Sequence, residues 1–567
     1  MNPINILREL IAMYQPHADE NDRRRVAEEV IDIFTDQPII DFNINKYSGL
    51  DEFLTILKEA LETPKSTGEK SKTPQTLTQK GAMIKSFCLQ AKHSLETHLL
   101  IDSMQWLRDR LNETDMGLNN AAKRKSYYAI ERATRDALSI ALDEGGSIET
   151  LFQHYRAMIS PIAEGEVFSF DSRLAKVCEY LTAEPKPHKI VFQIIGAADP
   201  LRLEGQFDSI SITQTPPAIE ENPLDPIKKF IEAKNTIFAV AEVTSRDGRS
   251  AGMLAFRQIG EILDLVRFAF DERNIILKSR FLLVDDKKSL ILEVPDIIPN
   301  PESSLTSQKL EEFVTDLNRW GERAQGSIEG KDRVYSAFRL YRVGAEARIF
   351  ENKLVNWWTG VEYLTKGGKS NGGPIGVGVE NSLAYILLLG YIPKHLQAFK
   401  SIFKALNIQA DLPNGKASLG DLCIKDIYKT LKDPNNYTAI ENSCSQHTYM
   451  WMHLQKFIEQ IATPKKTHEF IKRHEKRLRW QIQRIYRARC DIVHSGRQVV
   501  NVSLLCANLE YYLKSVLRAM IDQLRVLPTV TGPGEFFDRS AFQYARLSKQ
   551  LSTAKAGDDE LLVQTLV

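Results

Sequence analysis

Apolar residues recur at helical spacing up to about residue 185. From 186 to about 300 they alternate or run together with β-branched residues, and beyond 300 the helical spacing returns. The strands are confined between two helical regions. They predict an α+β multidomain chain, mostly α. Ile6, Leu7, Leu10 and Ile11, then Val26, Val30 and Ile33, mark a small helical unit over 1–62. Residues 63–81 are dominated by Pro, Ser, Thr, Gly and Lys, with Leu77 as the one large apolar side chain, the composition of a flexible linker. Two stripes, Leu99, Leu100, Met104, Leu107 and Leu111, then Tyr127, Ile130, Ala133, Ala137 and Leu138, predict a helical hairpin within a helical region over 82–185.

The segments HKIVFQIIGA (188–197), FDSISITQT (207–215), TIFAVAEVTSRDG (236–248) and ILKSRFLLVDDKKSLILEV (276–294) read as strands. With a helix over Ala251–Phe270 they define a small α+β domain, 186–300. Three prolines in PDIIPNPESS then break the chain. A helical domain follows over 301–530, with helices expected at Ser307–Ala324, Asp332–Leu364, Asn381–Leu389, 447–461, 468–494 and 501–525. A polar interruption is expected between 390 and 446, and 531–567 reads as a loosely held polar tail.

The 567 residues carry 74 Lys and Arg against 73 Asp and Glu, a balance that excludes a globally basic nucleic-acid coat. Six cysteines without a C-x-x-C pair exclude a zinc ribbon and a disulfide scaffold. Met1–Gln15 lacks a charged start followed by an apolar run. The longest apolar stretch, Leu383–Ile392, falls short of the roughly 20 residues a membrane helix needs. The expectation is a cytoplasmic protein with no membrane partner.

Charge is nonetheless concentrated in one place. Residues 465–497 hold eleven Lys or Arg and three acids. Leu478, Ile482, Ile485 and Ile492 form the core-facing stripe of a helix there, and Arg489 falls on the same stripe. An arginine on a core face needs a partner. Arg487, Asp491 and His494 share another face at i, i+4 and i+7, so Asp491 is placed to orient the imidazole. Ser495-Gly496 predicts a helix stop that leaves His494 in the last turn, where a cation complements the helix end. That is a suitable place for general acid–base work, and equally for a plain C-terminal cap.

IYRARCDIVHSGR, residues 485–497, resembles the signature of the HEPN superfamily of ribonucleases and nucleotide-binding helical domains: an arginine, four to six residues, then a histidine. The spacing and the glycine after it are similar to the ApeA-like branch known from anti-phage defence. KLVNWWTGVEYL (353–364) resembles that branch's earlier helix, ENSLAYILLLG (380–390) the helix after it, and residues 239–268 the strand–helix unit that often precedes such domains. The resemblance covers roughly 235–525 and departs from the family at Cys490, where Asn, Asp or His is common.

The resemblance implies a C-terminal HEPN-type helical bundle acting as a metal-independent endoribonuclease without a cofactor, in anti-phage defence or a toxin-like role. It implies a homodimer through this domain. Catalytic residues would be Arg489 and His494, with Asp491, Arg487 and Glu362, the last holding the motif arginine or standing at the surface. Arg489 is favoured by the alignment, whereas helical phase sets Arg487 beside His494. At ~100° per residue, Arg489 and His494 point about 140° apart, which calls for a bent last turn or a site shared by two protomers. Lys472, Arg473, Lys476, Arg477, Arg484 and Arg497 would attract RNA, tRNA included. A phage-derived or protein trigger would act on the α+β domain or the N-terminal helices. The alternatives are an inactive HEPN scaffold that binds RNA, nucleotide or protein, and a chain whose residues 1–185 are an interaction module.

Other signals carry less. GGKSNGG (367–373) lacks the first glycine of a phosphate loop, since that position is Tyr363. Cys444, His447 and His453 lack a fourth zinc ligand. Asp285, Asp286 and Glu293 are followed by Val-Pro-Asp, without the lysine of a metal nuclease. Trp357, Trp358 and Tyr363 read as core rather than as a base-stacking platform.

Overall fold

Two segments of the chain, Met1–Asp296 and Ile297–Val567, fold as separate units in a computed structural model. It describes residues 2–554 apart from 15–19, 36–49, 62–76, 113–119, 161–169, 198–202, 219–223, 271–273, 285–288, 295–310, 313, 320–327, 348, 367–374, 413–414, 445–446, 497–498, 500–501, 527–529 and 531. The expected linker, the 307–324 helix, the glycine-rich stretch and the Asp285–Lys288 turn lie largely or wholly outside these residues.

The first unit opens with helices α1 (Pro3–Ala12), α2 (Glu20–Thr35), α3 (Leu50–Leu61), α4 (Gly81–Asn112), α5 (Asn120–Asp143), α6 (Ile148–Ile159) and α7 (Phe170–Thr182). The two helical segments expected at 1–62 and 82–185 share one core. Leu7, Val30, Phe53, Cys88, Leu99, Ala137 and Leu181 are all buried in it, because no short helix pair can bury its stripe alone.

Six antiparallel strands follow: β1 (Lys186–Ile195), β2 (Gly205–Phe207), β3 (Ile210–Thr213), β4 (Ile237–Ser245), β5 (Ile276–Val284) and β6 (Leu290–Glu293), in the order β2-β3-β4-β1-β5-β6. Alternation sends Ile190, Phe192 and Ile194 to the face covered by α9 (Gly248–Phe270). Val191, Phe238 and Leu282 meet Ile227 and Phe230 of the short helix α8 (Asp225–Ile231) on the other.

The β4–α9 corner ties this sheet to the helices before it. Asp247 precedes α9 and accepts from the Arg249 and Ser250 amides at 2.9 Å, as a helix N-cap does. It also accepts from the Ser147 amide at 2.9 Å and the Tyr180 hydroxyl at 2.8 Å. Burial alone would raise the Asp247 pKa, but the amides of Ser250 and Ser147 and the Tyr180 hydroxyl hold it below its usual value. Arg246 donates to the Leu181 carbonyl and pairs with Glu144.

The second unit is a layered helical bundle. Where one helix is expected over Asp332–Leu364 there are two, α10 (Ile328–Glu346) and α11 (Phe350–Thr365). The fully buried Lys353 explains the break: its ammonium donates to the Ala345 carbonyl at 3.1 Å and so satisfies the end of α10. Next come α12 (Ile375–Leu389), α13 (Tyr391–Ala405), the hairpin β7 (Gln409–Leu412) and β8 (Gly415–Ser418), α14 (Ile424–Lys432), α15 (Pro434–Cys444), α16 (Thr448–Ile461), α17 (Pro464–Ser495), α18 (Val502–Val526) and α19 (Pro533–Thr553).

Two expectations are corrected here. The polar interruption contains α13, whose Ile392, Leu396, Phe399 and Phe403 are buried at helical spacing. The loose tail contains α19, anchored by buried Phe536, Phe537, Tyr544, Leu547 and Leu551. Trp357 and Trp358 are core, as expected, but Tyr363, expected with them, is exposed near the end of α11. Among the described residues no single helix is long and apolar enough to cross a membrane; α12 and α13 reach that apolarity only together, across a 43° bend.

Candidate functional site

Helix α17 is set by its ends. Thr463 caps the start, accepting from the Lys466 amide at 3.3 Å, with Pro464 in the first turn. Gly496 ends it at φ 58°, a left-handed conformation that glycine adopts without strain, and its amide donates to the Asp491 carbonyl. His494 therefore lies in the last turn, as its spacing predicts, and it is exposed. Leu478, Ile482 and Ile485 are buried, while Ile492 and Arg489 on the same stripe are half-buried.

Arg489 meets α11. Its Nη2 lies 3.8 Å from Glu362 Oε2. The other carboxylate oxygen accepts from the Trp358 indole N–H at 2.6 Å. Tyr486, one turn before Arg489, packs on Trp358 with ring centroids 5.5 Å apart. The same tyrosine ring is met by α12, where only glycine fits: a Cβ on Gly376 would fall 2.6 Å from it. Burial and then the adjacent Cys490 push the Tyr486 hydroxyl upward in pKa. Arg489 Nε is buried and, among the described residues, has no acceptor. This guanidinium is held in place with much of its hydrogen-bonding capacity unused.

The Arg487, Asp491, His494 face is different. Arg487 is half-buried and Asp491 is exposed. Among the described residues, neither the Asp491 carboxylate nor the His494 ring makes a hydrogen bond or ion pair. The expected orientation of His494 by Asp491 does not occur. Helical phase brings such side chains near one another, but at an exposed helix end solvation leaves them apart.

Of the expected RNA contacts, Lys472, Arg473, Lys476 and Arg477 are exposed along α17. Lys472 also pairs with Glu475 at 2.9 Å, and Lys476 lies 4.7 Å above Trp480. Arg484 is half-buried and donates to Gln481 at 2.7 Å. Arg497 lies outside the described residues. At 1.5 Å per residue, Arg477 stands about 25 Å before His494, so the basic row and the helix end are distinct places.

A polar seam between α12 and α17 escapes sequence reasoning. Arg479 donates to Glu380 at 2.8 Å, Asn381 at 2.7 Å and Glu475 at 3.0 Å. Gln483 donates to Glu380, and Tyr544 of α19 donates to Glu475. Burial would raise the Glu475 pKa, but Tyr544, Lys472 and Arg479 hold it below its usual value. Glu475, Arg479 and Gln483 are spaced i, i+4 and i+8, a signal of a polar helix face, but the buried Glu380 comes from a segment that reads as apolar.

Nearby, His474 stacks on Tyr391 at 3.7 Å, with His395 edge-on to that ring. Burial, followed by neighbouring positive or histidine groups, pushes both imidazoles down to about 4. Among the described residues no group of His, Cys, Asp or Glu could hold a metal ion. Compared with known protein families, with curated proteins and with solved structures, the chain matches none.

Proposed function

We propose that the second unit is a HEPN-type endoribonuclease whose site lies at the C-terminal end of α17. One observation carries this reading. Arg489 is fixed beside Glu362 with donors unused, on the same helix end as an exposed His494. In the reaction proposed, an RNA 2′-hydroxyl attacks the adjacent phosphorus and the bond to the 5′-oxygen breaks. The products are a 2′,3′-cyclic phosphate and a 5′-hydroxyl. His494 takes the proton of the attacking hydroxyl or supplies one to the leaving oxygen. Arg489 stabilises the charge on the non-bridging oxygens, as a planar donor fork suits.

One imidazole cannot be base and acid at once, and Arg489 and His494 diverge on a straight helix. Two copies of the chain, each contributing its helix end, resolve both difficulties. Exposed Tyr363, Ile375 and Val493, at or beside the ends of α11, α12 and α17, support that pairing. The basic row then holds the RNA backbone upstream, without sequence preference. A role in anti-phage defence or as a toxin accords with this activity.

The test is cleavage of total RNA and tRNA in EDTA by wild type, His494→Ala, Arg489→Ala and Arg487→Ala. Cleavage lost in the first two variants and kept in the third is expected. Loss in Arg487→Ala with retention in Arg489→Ala transfers the role to Arg487. RNA binding without cleavage in wild type would favour the inactive scaffold.

A further inference from the structure

A guanidinium and a carboxylate pair most strongly when both carboxylate oxygens accept from the fork at about 2.7–2.9 Å. Glu362 does not do this with Arg489. Its Oε1 is taken by the Trp358 indole at 2.6 Å, within the same helix at i, i+4, and its Oε2 stays 3.8 Å from Nη2. Trp358 is itself fixed, being fully buried and packed on Tyr486. The indole thus holds the carboxylate back from the arginine. Glu362 is near enough to orient Arg489 and too far to saturate it.

We propose that Trp358 is a positioning residue. Through its N–H it keeps Glu362 from closing on Arg489, and so leaves that guanidinium open to a phosphodiester. Only the choice of a phosphodiester as the ligand rests on the ribonuclease reading; the restraint on Glu362 does not. Without the indole N–H, Glu362 is free to rotate into a two-oxygen pair and compete with the incoming anion. Removing the carboxylate's charge relieves that competition whether or not the indole is present.

The probe is a deoxydinucleotide, titrated by saturation-transfer NMR. It carries one phosphodiester, is too short to reach from Arg489 to the exposed row that ends at Arg477, about 18 Å away along the helix, and has no 2′-hydroxyl to be cleaved. Trp358→Phe is expected to weaken its binding about fivefold, the size of a modest ion pair. Glu362→Gln is expected to tighten binding, and the Trp358→Phe/Glu362→Gln double variant to bind as Glu362→Gln does. Arg489→Ala should abolish the dependence on both residues.

Rescue by Glu362→Gln separates this role from damage to the core, which would weaken the single and double variants alike. Equal weakening in both backgrounds overturns the proposal. So does a Trp358→Phe variant that binds as wild type or more tightly, or wild-type binding unaffected by Arg489→Ala. Should these binding results hold while wild type cleaves no RNA under any condition, the ribonuclease reading fails and the positioning role stands.

Discussion

Arg479 and Arg489 lie on one helix and have opposite environments. Arg479 is surrounded by Glu380, Asn381 and Glu475, with every nitrogen engaged. Among the described residues, Arg489 has one distant carboxylate, already shared with an indole. The first arrangement locks α12 to α17. The second leaves a cation oriented and unspent. An idle Nε alone does not distinguish them from other arginines, since Arg246 in the first unit has one too. Arg246, however, uses both terminal nitrogens at close range, on Leu181 and Glu144. Saturation of the terminal nitrogens is therefore what separates a structural arginine from one available to a ligand.

Substitution breaks this comparison most forcefully at Arg479. Arg479→Ala takes the countercharge from the buried Glu380, leaving it the Gln483 amide, and loss of one member of a buried pair costs about 3–5 kcal/mol. Urea unfolding should show it, and a loss below about 1 kcal/mol would mean that the seam is not structural. Acid comes next. His395 and His474 are held near 4 in the fold, so the unfolded chain binds more protons as pH falls from about 6.5. Their contribution is complete above about 6.5 and is lost on descending toward 4. The ceiling is about 3 kcal/mol each, less where the two are coupled. His474→Phe, which keeps a ring against Tyr391, should flatten that part of the stability–pH curve. An unchanged curve would assign acid lability elsewhere.

A smaller effect tests the packing under Arg489. Gly376→Ala drives a methyl into Tyr486 and should cost about 1–3 kcal/mol. It should also lower cleavage by shifting Tyr486 and with it Arg489. A stable variant with full activity would show that Tyr486 does not set the arginine's place. Least affected is the stability of Arg489→Ala, expected within about 1 kcal/mol of wild type, because its ion pair is long and Glu362 keeps the Trp358 indole as a partner.

Much of the helix end is legible in sequence. The Leu478, Ile482, Ile485 stripe, the stop at Gly496 and the last-turn position of His494 follow from spacing, and the need of Arg489 for a partner follows from its face. The strands follow from alternation. What escapes has identifiable causes. Pro393 disguises α13, although a proline in a first turn is no obstacle to a helix. The apolar stripe of α19 is diluted by charged neighbours. Spacing also gives a side chain's direction and not its engagement, which is why Asp491 and His494 share a face without touching. The hold of Trp358 on Glu362 depends on a rotamer that no periodicity encodes.

The most direct measurement pairs two readouts on wild type and Arg489→Ala: the unfolding midpoint, and EDTA-resistant cleavage of tRNA with analysis of the product ends. The account predicts nearly equal midpoints, cyclic-phosphate products from wild type, and a loss of at least about a hundredfold in the variant. Undiminished cleavage by a folded Arg489→Ala protein would contradict it.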